Sequence, residues 1–422
     1  MNQRIDFKKR AEGCLLGGAI GDAFGYPIEF MSLDEIRSQN GGDILRRPID
    51  RRGIYQFSDD TQMTVLTALG LLEAGPIDGN IWKLYRRWAE FQDGKGILSD
   101  SDHWVFSYRS MREDRAPGLT CLRSIRENDA AGTIEHPYND SKGCGGVMRV
   151  SPVPIWSIHE GGSSLESTMA AARIASYTHG NPLGYVTAGF LSSMLFRIFG
   201  GAGLRESIRN AKDDCEQCFK DADLSEMMDI IDLAVGLADS GASDQEAMAE
   251  IGEGWVAEET LAMALFSCLR HPDSIRDAIV CAVNVTGDSD SIGAVTGNIM
   301  GALLGADALE QEFDVGKLED GAMILRVSEM LCNDDQRDPD KTHRRTHQLL
   351  ADTEIAMHDV SRIGSRQNHL PVPAAEEDQK SDRRRGCDRV QGDEISGSRG
   401  RGRQDRHTDR WEAAPGIRRC LG

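Results

Sequence analysis

The sequence predicts an all-α protein, on three observations. Apolar residues recur at steps of three and four in one segment after another. Alternation with a period of two, which half-buried strands require, is nearly absent. Glycine is abundant, 45 of 422 residues, but gathers in small-residue stretches such as Gly13-Cys14-Leu15-Leu16-Gly17-Gly18 and Gly297-Asn298-Ile299-Met300-Gly301. That distribution excludes a collagen-like repeat. It fits helices whose backbones approach closely.

Taken in order, the small-residue stretch Gly13–Gly25 is expected in the core. Asp60–Ala74 carries Met63, Leu66, Leu69 and Leu72 at steps of three, opens on an acidic turn and stops at Gly75-Pro76. Ile81–Phe91 follows, with Trp82, Leu84, Tyr85 and Trp88. Leu165–Tyr177, Leu183–Phe199, Leu224–Ala238, Glu258–Leu269, Ser274–Val285 and Ile292–Leu304 show the same spacing. Gly297–Leu309 is a second small-residue stretch, also expected in the core. From about residue 336 the apolar faces fade. Residues 341–363 offer one marginal helix, and beyond Pro371 Arg, Asp, Gly and Ser dominate. A segment of that composition buries too little surface to offset its chain entropy, so residues 336–422 are expected to be a mostly disordered, Arg-rich tail.

The net charge is −20, and it is unevenly spread. Residues 1–335 hold 30 basic and 53 acidic side chains, so the body repels nucleic acid and anionic membranes. An anionic substrate would need a local inversion of that field, which a bound divalent cation supplies. Ten cysteines are too few for a disulfide scaffold. Cys14, Cys268 and Cys281 sit in apolar stretches, and Cys215 and Cys218 form a lone C-x-x-C that reads as structural. No uninterrupted apolar run reaches the ~18 residues of a membrane span, and Lys8-Lys9-Arg10 precedes too short an apolar stretch for a signal peptide. The expectation is a soluble, cytoplasmic protein.

The chemistry concentrates in two acidic clusters, each opening a helix. Ser58-Asp59-Asp60-Thr61 leads into one and Asp288-Ser289-Asp290-Ser291 into another. One polar side chain suffices to cap a helix start, and adjacent carboxylates repel unless a cation separates them. The surplus of hard oxygen donors therefore points to magnesium, manganese or calcium, and two such clusters have the donors for two cations. Neither cluster continues into a twelve-residue calcium loop.

Several motifs occur together and in order: Gly17-Gly18-Ala19-Ile20-Gly21-Asp22-Ala23-Phe24-Gly25-Tyr26-Pro27-Ile28-Glu29; Ser58-Asp59-Asp60-Thr61-Gln62-Met63; Arg115-Ala116-Pro117-Gly118; Gly143-Cys144-Gly145-Gly146-Val147-Met148-Arg149; Thr178-His179; and Gly287-Asp288-Ser289-Asp290-Ser291-Ile292-Gly293-Ala294. With these motifs, spread over residues 10–330, the chain resembles the ADP-ribosylglycohydrolase family. The resemblance implies a single helical catalytic domain over residues 8–335 with a dinuclear cleft. It implies two Mg²⁺, with Mn²⁺ an alternative, held by Ser58, Asp59, Asp60, Asp288, Asp290 and Ser291. Glu29, Asp60 and Asp290 are the implied catalytic groups, Glu29 orienting or activating water. Gly143, Cys144, Gly145, Gly146, Val147, Met148 and Arg149 would line the ADP-ribose cleft, since glycines let backbone N–H groups close on a diphosphate. His179 would lie near the distal ribose and Trp255 would stack on adenine.

The activity so implied is hydrolysis of the N-glycosidic bond between ADP-ribose and a protein side chain, arginine foremost. The partner is an ADP-ribosylated protein, with no nucleic acid and no membrane. Two other readings stay open. One is an ADP-ribose-binding protein without turnover. The other is a bacterial immunity protein that neutralises an ADP-ribosyltransferase toxin by reversal and occlusion.

Overall fold

A computed structural model describes residues 6–51 and 53–333. The tail expected over 336–422, its marginal helix and the domain boundary at 335 lie outside the described residues. Among the described residues the secondary structure is helical, with three isolated β-bridges and no strand. The α-helices run Phe7–Gly25 (α1), Leu33–Gln39 (α2), Asp59–Leu72 (α3), Ile77–Gln92 (α4), Leu119–Glu127 (α5), Pro152–His159 (α6), Ser164–Ser176 (α7) and Pro182–Phe199 (α8). They continue as Leu204–Cys218 (α9), Ser225–Ala238 (α10), Asp244–Ile251 (α11), Ala257–Arg270 (α12), Ile275–Val283 (α13), Ser289–Leu304 (α14), Ala306–Glu312 (α15) and Gly321–Cys332 (α16).

Local chemistry sets the starts. Ser32, Ser163 and Ser243 each close a capping box with a glutamate three residues on, satisfying otherwise free N–H groups of α2, α7 and α11. Asn181 caps α8 and Pro182 occupies its first turn. At 18 residues α8 is long and apolar enough to cross a membrane, but 83 % of it is buried inside the protein. Val186, Phe190 and Leu195 show no exposure at all. Its apolarity is used by the core.

The centre of the molecule is the antiparallel pair α1 and α14. Gly13 faces Gly301, Gly17 faces Gly297, Gly21 faces Gly293, and Gly25 faces Ser289. A Cβ on any of these glycines would come within 3.0 Å of the opposing backbone. The contact is therefore carbonyl against Cα, with no room for side chains. Asn298 ties the pair together by donating from Nδ2 to the Cys14 carbonyl (2.8 Å). Arg10 reaches the end of α14 and donates to the carbonyls of Ala302 (2.7 Å) and Leu303 (3.0 Å), groups left without helical partners.

Two sequence expectations change here. Gly297–Leu309 is not one helix: Gly305, at φ +82°, ends α14, and α15 leaves at 117°. The helices α2, α5, α6, α9, α11 and α16 have no range assigned from the sequence, and in α6 the prolines Pro152 and Pro154 mask the helix.

The α1–α14 contact generates a stability prediction. Gly297→Ala should destabilise the protein by about 1–3 kcal/mol, the usual cost of overpacking a closed contact. Gly236→Ala, in the exposed face of α10 with nothing within 4 Å of the new methyl, should be neutral or stabilise by up to about 1 kcal/mol. Urea midpoints of the two variants read the difference, and equal midpoints would refute the close-contact account.

Candidate active site

The α1–α14 pairing delivers acidic groups from both ends of the chain to one place. At the end of α1, the turn Tyr26–Ile28 leads to Glu29, and the start of α14 holds Asp288 and Asp290. Donor oxygens of Glu29, Asp288 and Asp290 all lie within 4.8 Å of one another. The start of α3 adds Asp59 and Asp60, close enough for their charges to act on Asp288 and Asp290. The two clusters predicted from the sequence thus converge.

Capping and surplus separate cleanly. Ser58 caps α3, its hydroxyl accepting from the Asp60 N–H at 3.2 Å. Asp288 caps α14, accepting from the Ser291 N–H at 3.3 Å. Asp59, Asp60 and Asp290 are not needed as caps. The Gly118 N–H holds Oδ2 of Asp59 (3.3 Å), and the Ser291 N–H holds Oδ1 of Asp290 (3.0 Å). Oδ2 of Asp60 is buried with no hydrogen-bond partner. An orphaned carboxylate oxygen beside other carboxylates is costly to bury, and a cation removes that cost. The donor set of carboxylates and hydroxyls fits a hard divalent ion.

Asp22 was quoted within a motif but not expected at the site. Fully buried in α1, it accepts from the N–H of Ser58 (2.8 Å) and from the N–H (3.0 Å) and hydroxyl (2.5 Å) of Thr61. It fastens the start of α3 to α1. Its signal in the sequence is the one carboxylate in the otherwise small and apolar stretch Gly13–Gly25.

The glycine-rich segment departs from its expected role in part. Gly143 and Cys144 are partly exposed, whereas Val147 and Arg149 are fully enclosed, so these two side chains face the interior rather than a ligand. Arg149 donates to Thr178 Oγ1 (2.7 Å) and to the Ile174 carbonyl (3.1 Å), and its guanidinium lies over Tyr85. Met148 is 3 % exposed and receives the Ser291 hydroxyl on its sulfur. A Cβ on Gly145 would meet Cys121 Sγ and the His179 ring within 3.0 Å. Close packing against the interior therefore requires glycine there. His179 lies beneath this segment, buried and bonded to Thr178 Oγ1 (2.9 Å). Burial, aided by the Arg149 charge, pushes its pKa down to about 3 and keeps the ring neutral.

At the rim, Trp255 is 37 % exposed and stacks on Phe30, with ring centroids 5.3 Å apart. Phe30 directly follows Glu29 and holds φ +67°, uncommon for an aromatic residue. The Trp255 carbonyl accepts from the Cys144 N–H (3.3 Å), and Cys144 Sγ touches Asp288 Oδ2 at 2.7 Å. Rim and carboxylates are thus linked through Cys144. A cavity of about 1010 Å³, lined by Trp82, Arg87, Asp102 and Tyr177 among others, is elsewhere.

In the absence of a cation, burial above all raises the pKa values of these acids, and charge repulsion between Glu29, Asp60 and Asp290 and their neighbours adds to it. Glu29 is pushed from 4.5 up to about 9, by burial and by the charges of Asp288, Asp59 and Asp22. Burial takes Asp22 from 3.8 to about 6, against its hydrogen bonds from Thr61 and Ser58. Asp59, Asp60 and Asp290 lie well above the ordinary carboxylate range for the same leading reason. Their folded-state values are raised, so the folded form binds more protons than the unfolded chain above about pH 4. Stability of the metal-free protein is then full at low pH and is lost as pH rises toward about 9. Melting curves between pH 5 and 9 (approximate limits) with a chelator should show this fall, and excess Mg²⁺ should flatten it. A metal-free melting temperature that rises across the window would contradict the buried, repelling cluster.

Comparison with known proteins bears on this site. The family model described as ADP-ribosylglycohydrolase matches residues 3–341. ADP-ribosyl-[dinitrogen reductase] glycohydrolase of Rhodospirillum rubrum is 27 % identical over 311 residues, covering 71 % of this chain and 86 % of the relative. ADP-ribosylarginine hydrolase Tri1 of Serratia proteamaculans is 24 % identical over 329 residues, covering 76 % and 78 %. ADP-ribosylhydrolase ARH3 of Gallus gallus is 22 % identical over 348 residues, covering 72 % and 88 %. A solved ADP-ribosylglycohydrolase-related protein complex shares the fold, with a TM-score of 0.53 at 22 % identity over 78 % of this chain and 98 % of that one. With the family model spanning nearly all of its described residues, the chain belongs to the ADP-ribosylglycohydrolase family.

Proposed function

We propose that this protein hydrolyses the N-glycosidic bond joining ADP-ribose to a protein side chain, arginine first, with divalent cations at the carboxylate cluster. The observation that carries this reading is the meeting of Glu29, Asp288 and Asp290 within 4.8 Å, beside the orphaned oxygen of Asp60. Ser58, Asp59, Asp60, Asp288, Asp290 and Ser291 would hold two Mg²⁺, or Mn²⁺ in their place. Bound there, the ions would supply Lewis acidity, which makes a nearby water easier to deprotonate and orients the ribose hydroxyls, while the carboxylates offset the positive charge that builds at the anomeric carbon as its bond to nitrogen breaks.

The chain's own groups divide the remaining work. Backbone N–H groups of Gly118 and Ser291 each fix one oxygen of Asp59 and Asp290, leaving the second oxygen of each for an ion. Glu29 is half-buried at the edge of the cluster, where neighbouring cations would restore its carboxylate form. In that form its Oε takes a proton from the water whose oxygen bonds to the anomeric carbon as the carbon–nitrogen bond breaks, and the departing guanidine takes up a proton and leaves as guanidinium. The exposed Trp255 and Phe30 rings form an apolar rim suited to a nucleobase. The names of the relatives support ADP-ribosyl groups as the substrate class, and Tri1 supports arginine as the linkage. A reducing, cytoplasmic setting belongs to the same proposal, and the free thiols of Cys14, Cys121, Cys268 and Cys281 agree with it.

An arginine-ADP-ribosylated protein incubated with enzyme and Mg²⁺ should lose its label. Asp290→Asn, which removes charge at nearly constant volume, should lower the rate by about 10²–10³-fold or more and weaken Mg²⁺ binding. Asp34→Asn, on a side chain 96 % exposed, should leave both unchanged. Retention of label on arginine, serine and O-acetyl-ADP-ribose substrates would overturn the enzyme reading. Tight ADP-ribose binding by calorimetry beside zero turnover would replace it with a binding protein.

A further inference from the structure

Away from the carboxylate cluster, three helices bring a different set of donors together. Asp244 is the first residue of α11, His271 follows the last turn of α12, and Cys281 lies on α13. One donor atom from each, a carboxylate oxygen, an imidazole nitrogen and the thiol sulfur, falls within 4.8 Å of the other two. His271 Nε2 and Asp244 Oδ2 are 2.9 Å apart. We propose that Asp244, His271 and Cys281 form a second metal site, one that takes a borderline-soft divalent ion, zinc foremost.

The donor set is the first argument. Nitrogen, sulfur and a single carboxylate oxygen suit zinc and are a poor match for magnesium, which the oxygen-only cluster prefers. The second argument is space. A cavity of about 240 Å³ is lined by all three residues together with Gln245, Asp277 and Asn284. It leaves room for water as a fourth ligand. The third is how the donors are held. Arg270 donates from Nε to Asp244 Oδ1 (3.2 Å) and is itself anchored on the carbonyls of Ala238, Ser240 and Ala242. That leaves Oδ2 for the ion. The Ser267 hydroxyl donates to Cys281 Sγ (3.5 Å), a contact that strengthens when the sulfur becomes thiolate.

Binding replaces the hydrogen bond between His271 Nε2 and Asp244 Oδ2 with a bond from each atom to the ion, and a proton on Nε2 moves to Nδ1 or to solvent. The Cys281 thiol gives up its proton to solvent as its sulfur binds. Burial holds the metal-free Cys281 thiol up at about 12, so without an ion it is an inert, protonated side chain.

The test uses the full chain, stripped with chelator and then saturated with Mg²⁺ to fill the carboxylate cluster. Co²⁺ added as a probe should give the near-ultraviolet charge-transfer band of a thiolate ligand. Cys281→Ser should lose that band, and His271→Gln should weaken Co²⁺ and Zn²⁺ binding by about 10–100-fold. Cys144→Ser should keep the band, which separates this site from the thiol beside Asp288. Absence of the band in the unsubstituted chain, its survival in Cys281→Ser, or its loss in Cys144→Ser would each overturn the proposal. None of these readouts depends on hydrolase activity.

Discussion

Everything about the site depends on one backbone contact. Where α1 meets α14, carbonyl oxygens lie against Cα atoms at Gly13, Gly17 and Gly21, and the partners Gly301, Gly297 and Gly293 return the contact. Small residues at every fourth position keep one stripe of each helix bare, so the axes close to a distance that side chains elsewhere forbid. The pairing also fixes register. Sliding one helix by a turn would move its end by about 5 Å and separate Glu29 from Asp288 and Asp290. Because both sides of the contact are backbone, a larger residue on one helix cannot be relieved by a smaller one opposite.

The carboxylates press the other way. Asp22, Asp59, Asp60, Asp288 and Asp290 are all buried, and burial opposes their charged forms. Their attachment is nonetheless thorough: Asp22 grips Ser58 and Thr61, and Asp288 grips Ser291. Packing energy spent elsewhere in the core holds together groups that would otherwise separate. Such preorganisation is what electrostatic catalysis requires, since donors already in place need not reorganise when charge develops.

Much of this was legible in the sequence, and for identifiable reasons. Long helices such as α3, α4 and α8 announced themselves because their own residues carry the 3.6 period, and α3 and α8 also carry their own caps. The paired acidic clusters were visible because two carboxylates exceed what a cap uses. What escaped was what only the partner defines. Asp22 looked like one polar residue in a core helix, since its partners Ser58 and Thr61 are 36 and 39 positions away. The glycines of the 143–149 segment suggested an open cradle, but Gly145 is demanded by Cys121 and His179 behind it. Arg149 was expected to line the same cleft, but a guanidinium set on Thr178 and the carbonyls ending α7 is a strut. Type and spacing reveal a need for glycine or arginine. They do not reveal which side of the chain has that need.

The stacked pair of Phe30 and Trp255 gives the molecule an optical handle. Trp82, Trp88 and Trp156 are sealed in the core, whereas Trp255 stands at the rim with over a third of its surface in solvent. A water-soluble quencher would reach that indole long before it reached those three. With the half-buried Trp104 replaced, its emission would separate from that of the core indoles and report on the rim, through the Trp255 carbonyl that accepts from Cys144 and the ring stacked on the neighbour of Glu29. The chain itself thus supplies a fluorophore stacked on the residue that follows Glu29.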